Sequence, residues 1–252
     1  MNNIALKITN KCDKNCSHCC ENSCMNGKSM KFSLVKEIFK KLPKTITDIC
    51  FTGGEALLYK DCKYNFLDIY KLTVKHKIKC HIMTGGMTDD LKYRNIIKKL
   101  KNVNFYLSFN LFKKNNKEFF ITAINLISNS KNKIQEINIA YIPENKKETI
   151  NKFKAIRYVL DEIKAIETNT CIIQSVGRGA NLIIDFFTNY CSNSCIAGRI
   201  VTIDIDGRIF PCCSIVDRKC FNKFNYNIKK DNLIDVFKES KLFCEIVCLH
   251  RL

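Results

Sequence analysis

The sequence predicts an α/β chain built on a mainly parallel sheet. Three observations carry this: short β-branched apolar runs recur along the first 185 residues, segments with helical periodicity separate them, and the alternation stops near residue 185. Six such units form either an open sheet or a partial barrel, and in both the chemistry belongs at the carboxyl ends of the strands.

The runs are IALKIT (4–9), ITDICF (46–51), CHIMT (80–84), VNFYLSF (103–109), INIAYI (137–142) and CIIQSV (171–176). Each is rich in Ile, Val, Phe or Tyr, which fit a pleated surface. Between the first two, Ser33 to Leu42 places Leu34, Val35, Ile38, Phe39 and Leu42 on one helical face. Similar patterns cover 63–77, 89–100, 117–129 and 147–166. Beyond 185, IVTIDIDGRIFPC reads as a hairpin turning at Asp206-Gly207, followed by a helix over 231–241. The expected division is therefore a βα domain over 1–185 and a cysteine-rich extension over 186–252, packed together with no Pro- or Gly-rich linker between them.

Forty-two Lys and Arg against 24 Asp and Glu give a net charge of +18. The lysines are dispersed, as on a solvated surface. Their functional reading is attraction to an anionic partner, and no nucleic-acid motif singles out DNA or RNA. The polar opening MNNIALKITNKC is no signal peptide, and no apolar stretch is long enough to span a bilayer, so a cytoplasmic protein is expected.

In a reducing compartment the 16 cysteines suggest metal binding or thiol chemistry rather than disulfides. Cys50, Cys62, Cys80 and Cys171 lie in or beside apolar runs and read as small hydrophobes. The others cluster. Cys12, Cys16 and Cys19 have the spacing Cys-x3-Cys-x2-Cys directly after the first strand, with Cys20 and Cys24 close by. Three thiolates on one loop suit three irons of a 4Fe-4S cluster with the fourth iron open. A zinc site completed by Cys20 or Cys24 is the alternative that spacing leaves, though its ligands would not fall into the usual pairs.

This motif after the first strand of a βα chain resembles the signature of the radical S-adenosylmethionine (SAM) enzymes. Gly53-Gly54-Glu55 follows the second strand, where that family carries a Gly-Gly-Glu motif contacting the methionine amino group of SAM. Glycines admit a close backbone approach, and a carboxylate suits an ammonium. Ser108 in LSFN resembles the family's serine that meets the SAM carboxylate or ribose. Thr84-Gly85-Gly86 stands where relatives often have Thr-Asn-Gly, and Gly177-Arg178-Gly179 resembles a Gly-Arg-Ala element, which makes Arg178 a further SAM contact. The resemblance covers 1–185 and implies a partial (β/α)6 barrel.

The second cluster comprises Cys191, Cys195, Cys212, Cys213, Cys220, Cys244 and Cys248. Its Cys195-x2-Gly198 and the hairpin ending at Pro211-Cys212 are similar to the start of the SPASM and twitch extensions of the same family. The resemblance implies one auxiliary 4Fe-4S cluster on Cys195, Cys212, Cys244 and Cys248. A full SPASM domain carries a close Cys-x2-Cys pair that is missing here, so the one-cluster twitch form fits better, with Cys213 the nearest substitute ligand.

The implied chemistry is reductive cleavage of SAM to a 5'-deoxyadenosyl radical, which abstracts hydrogen from a substrate. The expected substrate is a ribosomally made peptide undergoing maturation, held by a separate recognition protein or by the barrel loops, with a low-potential electron donor as partner. A small-molecule dehydrogenase of the twitch type is the alternative, with Asp89, Asp90 and Asp206 as candidate bases. A non-catalytic iron-sulfur protein is a third reading.

Overall fold

The structure of the chain, a computed structural model, describes residues 2–16, 19, 21–86, 90–109, 116–141, 146–154, 167–172, 200–210 and 225–239. Eleven strands are present among them. The major ones are β1 (Asn3–Thr9), β2 (Asp48–Gly53), β5 (Lys79–Thr84), β6 (Asn104–Phe109), β7 (Lys133–Tyr141), β8 (Glu167–Ile172), β9 (Ile200–Ile203) and β10 (Arg208–Phe210). The short strands β3 (Lys60–Asp61) and β4 (Tyr64–Asn65) form a separate ribbon, and β11 (Tyr226–Asn227) ends the chain order. Helices α1 (Phe32–Lys41), α2 (Phe66–Lys75), α3 (Asp90–Ile97), α4 (Asn116–Ser128) and α5 (Lys146–Lys154) fall between the parallel strands.

One nine-stranded sheet runs in the order β11-β10-β9-β1-β2-β5-β6-β7-β8. From β9 through β1 to β8 every neighbour is parallel, while β10 and β11 are antiparallel. The α/β class is thus the observed one. What periodicity did not convey is that the hairpin β9–β10 continues the main sheet, with Asn3 to Leu6 of β1 registered against Ile200 to Ile203.

The two faces of this sheet differ in chemistry. Ile4, Leu6, Ile8, Ile49, Phe51 and Ile82 face the helices and enter one continuous core. Helix α1 contributes Leu34, Val35, Ile38 and Phe39 to it at the spacing the sequence predicts. Helix α2 begins in a full capping box: the Asn65 side chain accepts from Leu67 N–H at 2.9 Å, and Asp68 accepts from Asn65 N–H at 3.0 Å. Strand pairing puts Lys7 level with Thr52, His81 with Cys50 and Asn104, and Ser108 with Asn138 on the opposite face. Parallel sheets are ordinarily apolar on both faces; this one is polar on the side away from its helices.

Candidate functional site

The site is assembled where β1, β2 and β5 end. After Thr9 the chain leaves the sheet and folds back on itself before α1. Asn10 N–H donates to Lys28 O at 2.8 Å, Cys12 N–H to Cys24 O at 2.9 Å, Cys24 N–H to Asn10 O at 3.2 Å and Met30 N–H to Ile8 O at 2.7 Å. These bonds close the base of the cysteine loop. A side chain at Gly27 would not allow it, because a Cβ there falls 2.0 Å from Asn10 O. Cys24, a candidate fourth zinc ligand by spacing, is a backbone partner of Cys12.

Within the loop Cys16 is buried and Cys12 and Cys19 are half-buried. Cys19 N–H donates to Cys16 O at 3.2 Å, and Cys19 Sγ accepts from Ser23 N–H at 3.4 Å. Burial pushes the Cys12 thiol up to about 11; an N–H bond from Lys14 opposes this, and the nearby Glu55 and Asp13 carboxylates add to it. Among the described residues no three His, Cys, Asp or Glu side chains are gathered around a single metal-ion site. The donor chemistry of the three thiols fits a 4Fe-4S cluster: three soft sulfurs, one receiving an N–H bond, and a buried thiol whose anion is favoured only beside a cation.

The middle of the loop is tethered to the sheet. Lys7, 1% exposed on the polar face of β1, places Nζ 2.6 Å from Glu21 Oε1, whose side chain is 12% exposed. Sequence reading passed over this pair. The available signal was a lone lysine inside the apolar run IALKIT.

Gly53-Gly54-Glu55 packs against the start of this loop. Gly54 N–H donates to Thr9 O at 2.7 Å and Glu55 N–H to Lys11 O at 2.8 Å. Gly53 has φ +113°, and a Cβ at Gly53 or Gly54 would lie 2.3 Å from Thr9 O or Lys11 O respectively. The two glycines therefore let β2 meet the cysteine loop backbone to backbone. Glu55 is 2% exposed. Its Oε1 accepts from Leu57 N–H at 3.3 Å, starting a single 3-10 turn over Ala56–Leu58, and its Oε2 accepts from Thr84 Oγ1 at 2.7 Å. Burial pushes its carboxyl up to about 7, against the Thr84 hydrogen bond, and Asp13 raises it further. Thr84, at the end of β5, also accepts from Gly86 N–H at 3.0 Å. The buried Tyr93 hydroxyl of α3 lies beside these groups with no well-formed hydrogen bond among the described residues.

Ser108 is half-buried near the end of β6, on the polar face. Arg178, Cys195, Cys212, Cys244 and Cys248 lie outside the described residues, as does Asp89. Asp206 is an exposed turn residue. Its Oδ1 accepts from Arg208 N–H at 3.0 Å and its Oδ2 from Arg208 Nε at 2.7 Å, contacts within the β9–β10 turn.

A parallel α/β sheet with a cysteine loop clasped against a glycine turn at its strand ends defines the class, and comparison with known proteins agrees. The Radical SAM superfamily model matches residues 6–163. The chain belongs to the radical SAM superfamily, a family of enzymes, and membership implies a 4Fe-4S cluster and SAM. No curated protein matches it. Solved structures of similar fold include Streptococcus suis SuiB bound to S-adenosylmethionine, at 15% identity and a TM-score of 0.57, with 97% of this chain and 67% of SuiB covered. SuiB bound to precursor peptide SuiA is similar at 16% identity and a TM-score of 0.57, covering 97% of this chain and 66% of SuiB. The chain thus spans about two thirds of SuiB's length, and at this identity the likeness is one of fold. Among the described residues no helix is long and apolar enough to cross a membrane.

Proposed function

We propose that this chain is a radical SAM enzyme that modifies a peptide. Cys12, Cys16 and Cys19 hold the SAM-binding 4Fe-4S cluster, and Gly53, Gly54, Glu55, Ser108 and Arg178 meet SAM itself. When bound on these thiolates, the cluster would supply the single electron for reductive cleavage of SAM to methionine and a 5'-deoxyadenosyl radical, the species that would abstract hydrogen from the substrate. Residues 1–185 form a partial (β/α)6 barrel. Residues 186–252 form a twitch-like extension in which Cys195, Cys212, Cys244 and Cys248 hold one auxiliary 4Fe-4S cluster suited to electron acceptance.

The observation that carries this reading is the clasp between Gly54-Glu55 and Thr9-Lys11, which keeps the cysteine loop and the Gly-Gly-Glu turn in one place. A peptide is favoured as substrate by the polar face of the sheet, where Thr52, Tyr106, Ser108 and Glu136 bring hydrogen-bonding groups. SuiB, solved with a precursor peptide, adds support through its likeness of fold. The charge of +18 favours association with an acidic segment of such a peptide.

The test is 5'-deoxyadenosine release by anaerobically reconstituted protein supplied with SAM and dithionite, alone and with short peptides encoded beside its gene. Release by the wild type, absent when Cys12, Cys16 and Cys19 are replaced by Ala, is the expected result. A mass change in one peptide identifies the substrate class. Turnover of an alcohol or amine metabolite with no peptide modified would assign the enzyme to small-molecule dehydrogenation instead.

A further inference from the structure

We propose that Thr84 is a positioning residue for SAM, acting through Glu55. The inference rests on the assignment of SAM to this site and extends it to Thr84, which bonds the Glu55 carboxylate directly.

A threonine hydroxyl carries one proton and two lone pairs. Gly86 N–H, 3.0 Å away, donates to Thr84 Oγ1. The hydroxyl's own proton goes to Glu55 Oε2, 2.7 Å away in a fully buried contact. The direction of this chain, Gly86 to Thr84 to Glu55, is that of the ionised Glu55, since a carboxylate can only accept and a backbone N–H can only donate. The other carboxylate oxygen is held by Leu57 N–H. Glu55 is thereby fixed at both oxygens by groups on two different elements, the 3-10 turn after β2 and the end of β5, while each oxygen keeps acceptor capacity for a further donor.

The need for a fixed carboxylate follows from its burial. A free Glu side chain loses rotamer freedom when it meets a ligand, and one locked beforehand does not. Thr84 supplies this lock with a charge-assisted bond, the stronger kind of hydrogen bond. The Tyr93 hydroxyl, buried without a well-formed partner beside Thr84 and Glu55, leaves one more polar group at the same spot for a ligand donor to satisfy. A ligand that brings an ammonium with three N–H donors suits this arrangement.

The test is equilibrium dialysis of anaerobically reconstituted holoenzyme with SAM and, separately, with 5'-methylthioadenosine, which keeps the nucleoside and the methylated sulfur but lacks the aminocarboxypropyl arm that carries the ammonium. Thr84→Val should raise the Kd for SAM about tenfold, with Thr84→Ser within about twofold of wild type. Glu55→Gln should weaken SAM at least as much as Thr84→Val, and 5'-methylthioadenosine should bind all four proteins alike. Equal weakening of both ligands by Thr84→Val would mean a general structural role and overturn the proposal. Thr84→Val at wild-type affinity with Glu55→Gln impaired would overturn it while leaving Glu55 as a SAM contact. Wild-type affinity in both variants would overturn it together with the placement of SAM against Glu55.

Discussion

The Lys7–Glu21 pair invites the sharpest perturbation, because it takes a charge into the sheet to hold a loop. At 2.6 Å the gross attraction is about 6 kcal/mol for an effective dielectric of about 20, and much of it offsets the desolvation of a lysine that is 1% exposed. Removing one partner of a buried pair costs about 3–5 kcal/mol, since the other charge stays buried and alone. Glu21 keeps 12% side-chain exposure, so Glu21→Ala should fall at the low end, about 3 kcal/mol. Adding Lys7→Met removes the stranded charge and should return about 2 kcal/mol of that loss. The assay is anaerobic guanidinium unfolding followed by circular dichroism, with iron per chain measured after desalting. The single variant should lose iron faster, as Glu21 stands two residues after Cys19. A loss below about 1 kcal/mol for Glu21→Ala, or a double variant no better than the single one, would refute the reasoning.

Gly54→Ala forces a Cβ to within 2.3 Å of Lys11 O; it should cost about 3 kcal/mol in thermal unfolding and weaken iron retention, and an unchanged melting curve would contradict the clasp. Asn65→Ala removes the capping box of α2 and should cost about 1 kcal/mol by the same measurement, with SAM binding unaltered. For Asp48, burial pushes the carboxyl up, but hydrogen bonds from Thr47 and His81 outweigh it and hold it below its ordinary value. Its stabilising contribution is therefore full above the unfolded carboxyl's pKa of about 3.9 and lost as pH falls through the lower folded value. Asp48→Asn should be less stable than wild type at neutral pH, and urea midpoints measured across the acid range should converge.

Six of the seven parallel strands were legible because each run is β-branched and bounded by polar residues, the last of them only at Cys171 and Ile172, where the run 171–176 meets β8. Their ends were not. The run 46–51 is observed as Asp48–Gly53 because pairing with β1, rather than composition, sets where the ladder stops; Ile46 is buried ahead of it without joining the strand. Cys12, Cys16, Cys19 and Gly53-Gly54-Glu55 stood out as sequence patterns, but what the glycines approach did not. Among the described residues they meet the protein's own backbone at Thr9 and Lys11. The link from Thr84 to Glu55 joins residues 29 positions apart through side chains alone, and no periodicity registers such a contact. Pairing of β9 with β1 spans nearly 200 residues and is equally silent in local pattern.

That pairing also bears on the order in which the protein is completed. Strand β1 leaves the ribosome before either of its partners and finds β2 within some forty residues, yet its other edge waits for Ile200–Ile203. Throughout the intervening synthesis the backbone groups of Asn3 to Leu6 along that edge lack their β9 partner, in a segment where Ile4, Ala5 and Leu6 are apolar. An unpaired edge of this kind recruits other strands. A chain cut short before residue 200 thus keeps the family's cysteine motif while presenting a self-associating flank, which makes the distal hairpin a guard for the nascent chain as well as a part of the sheet.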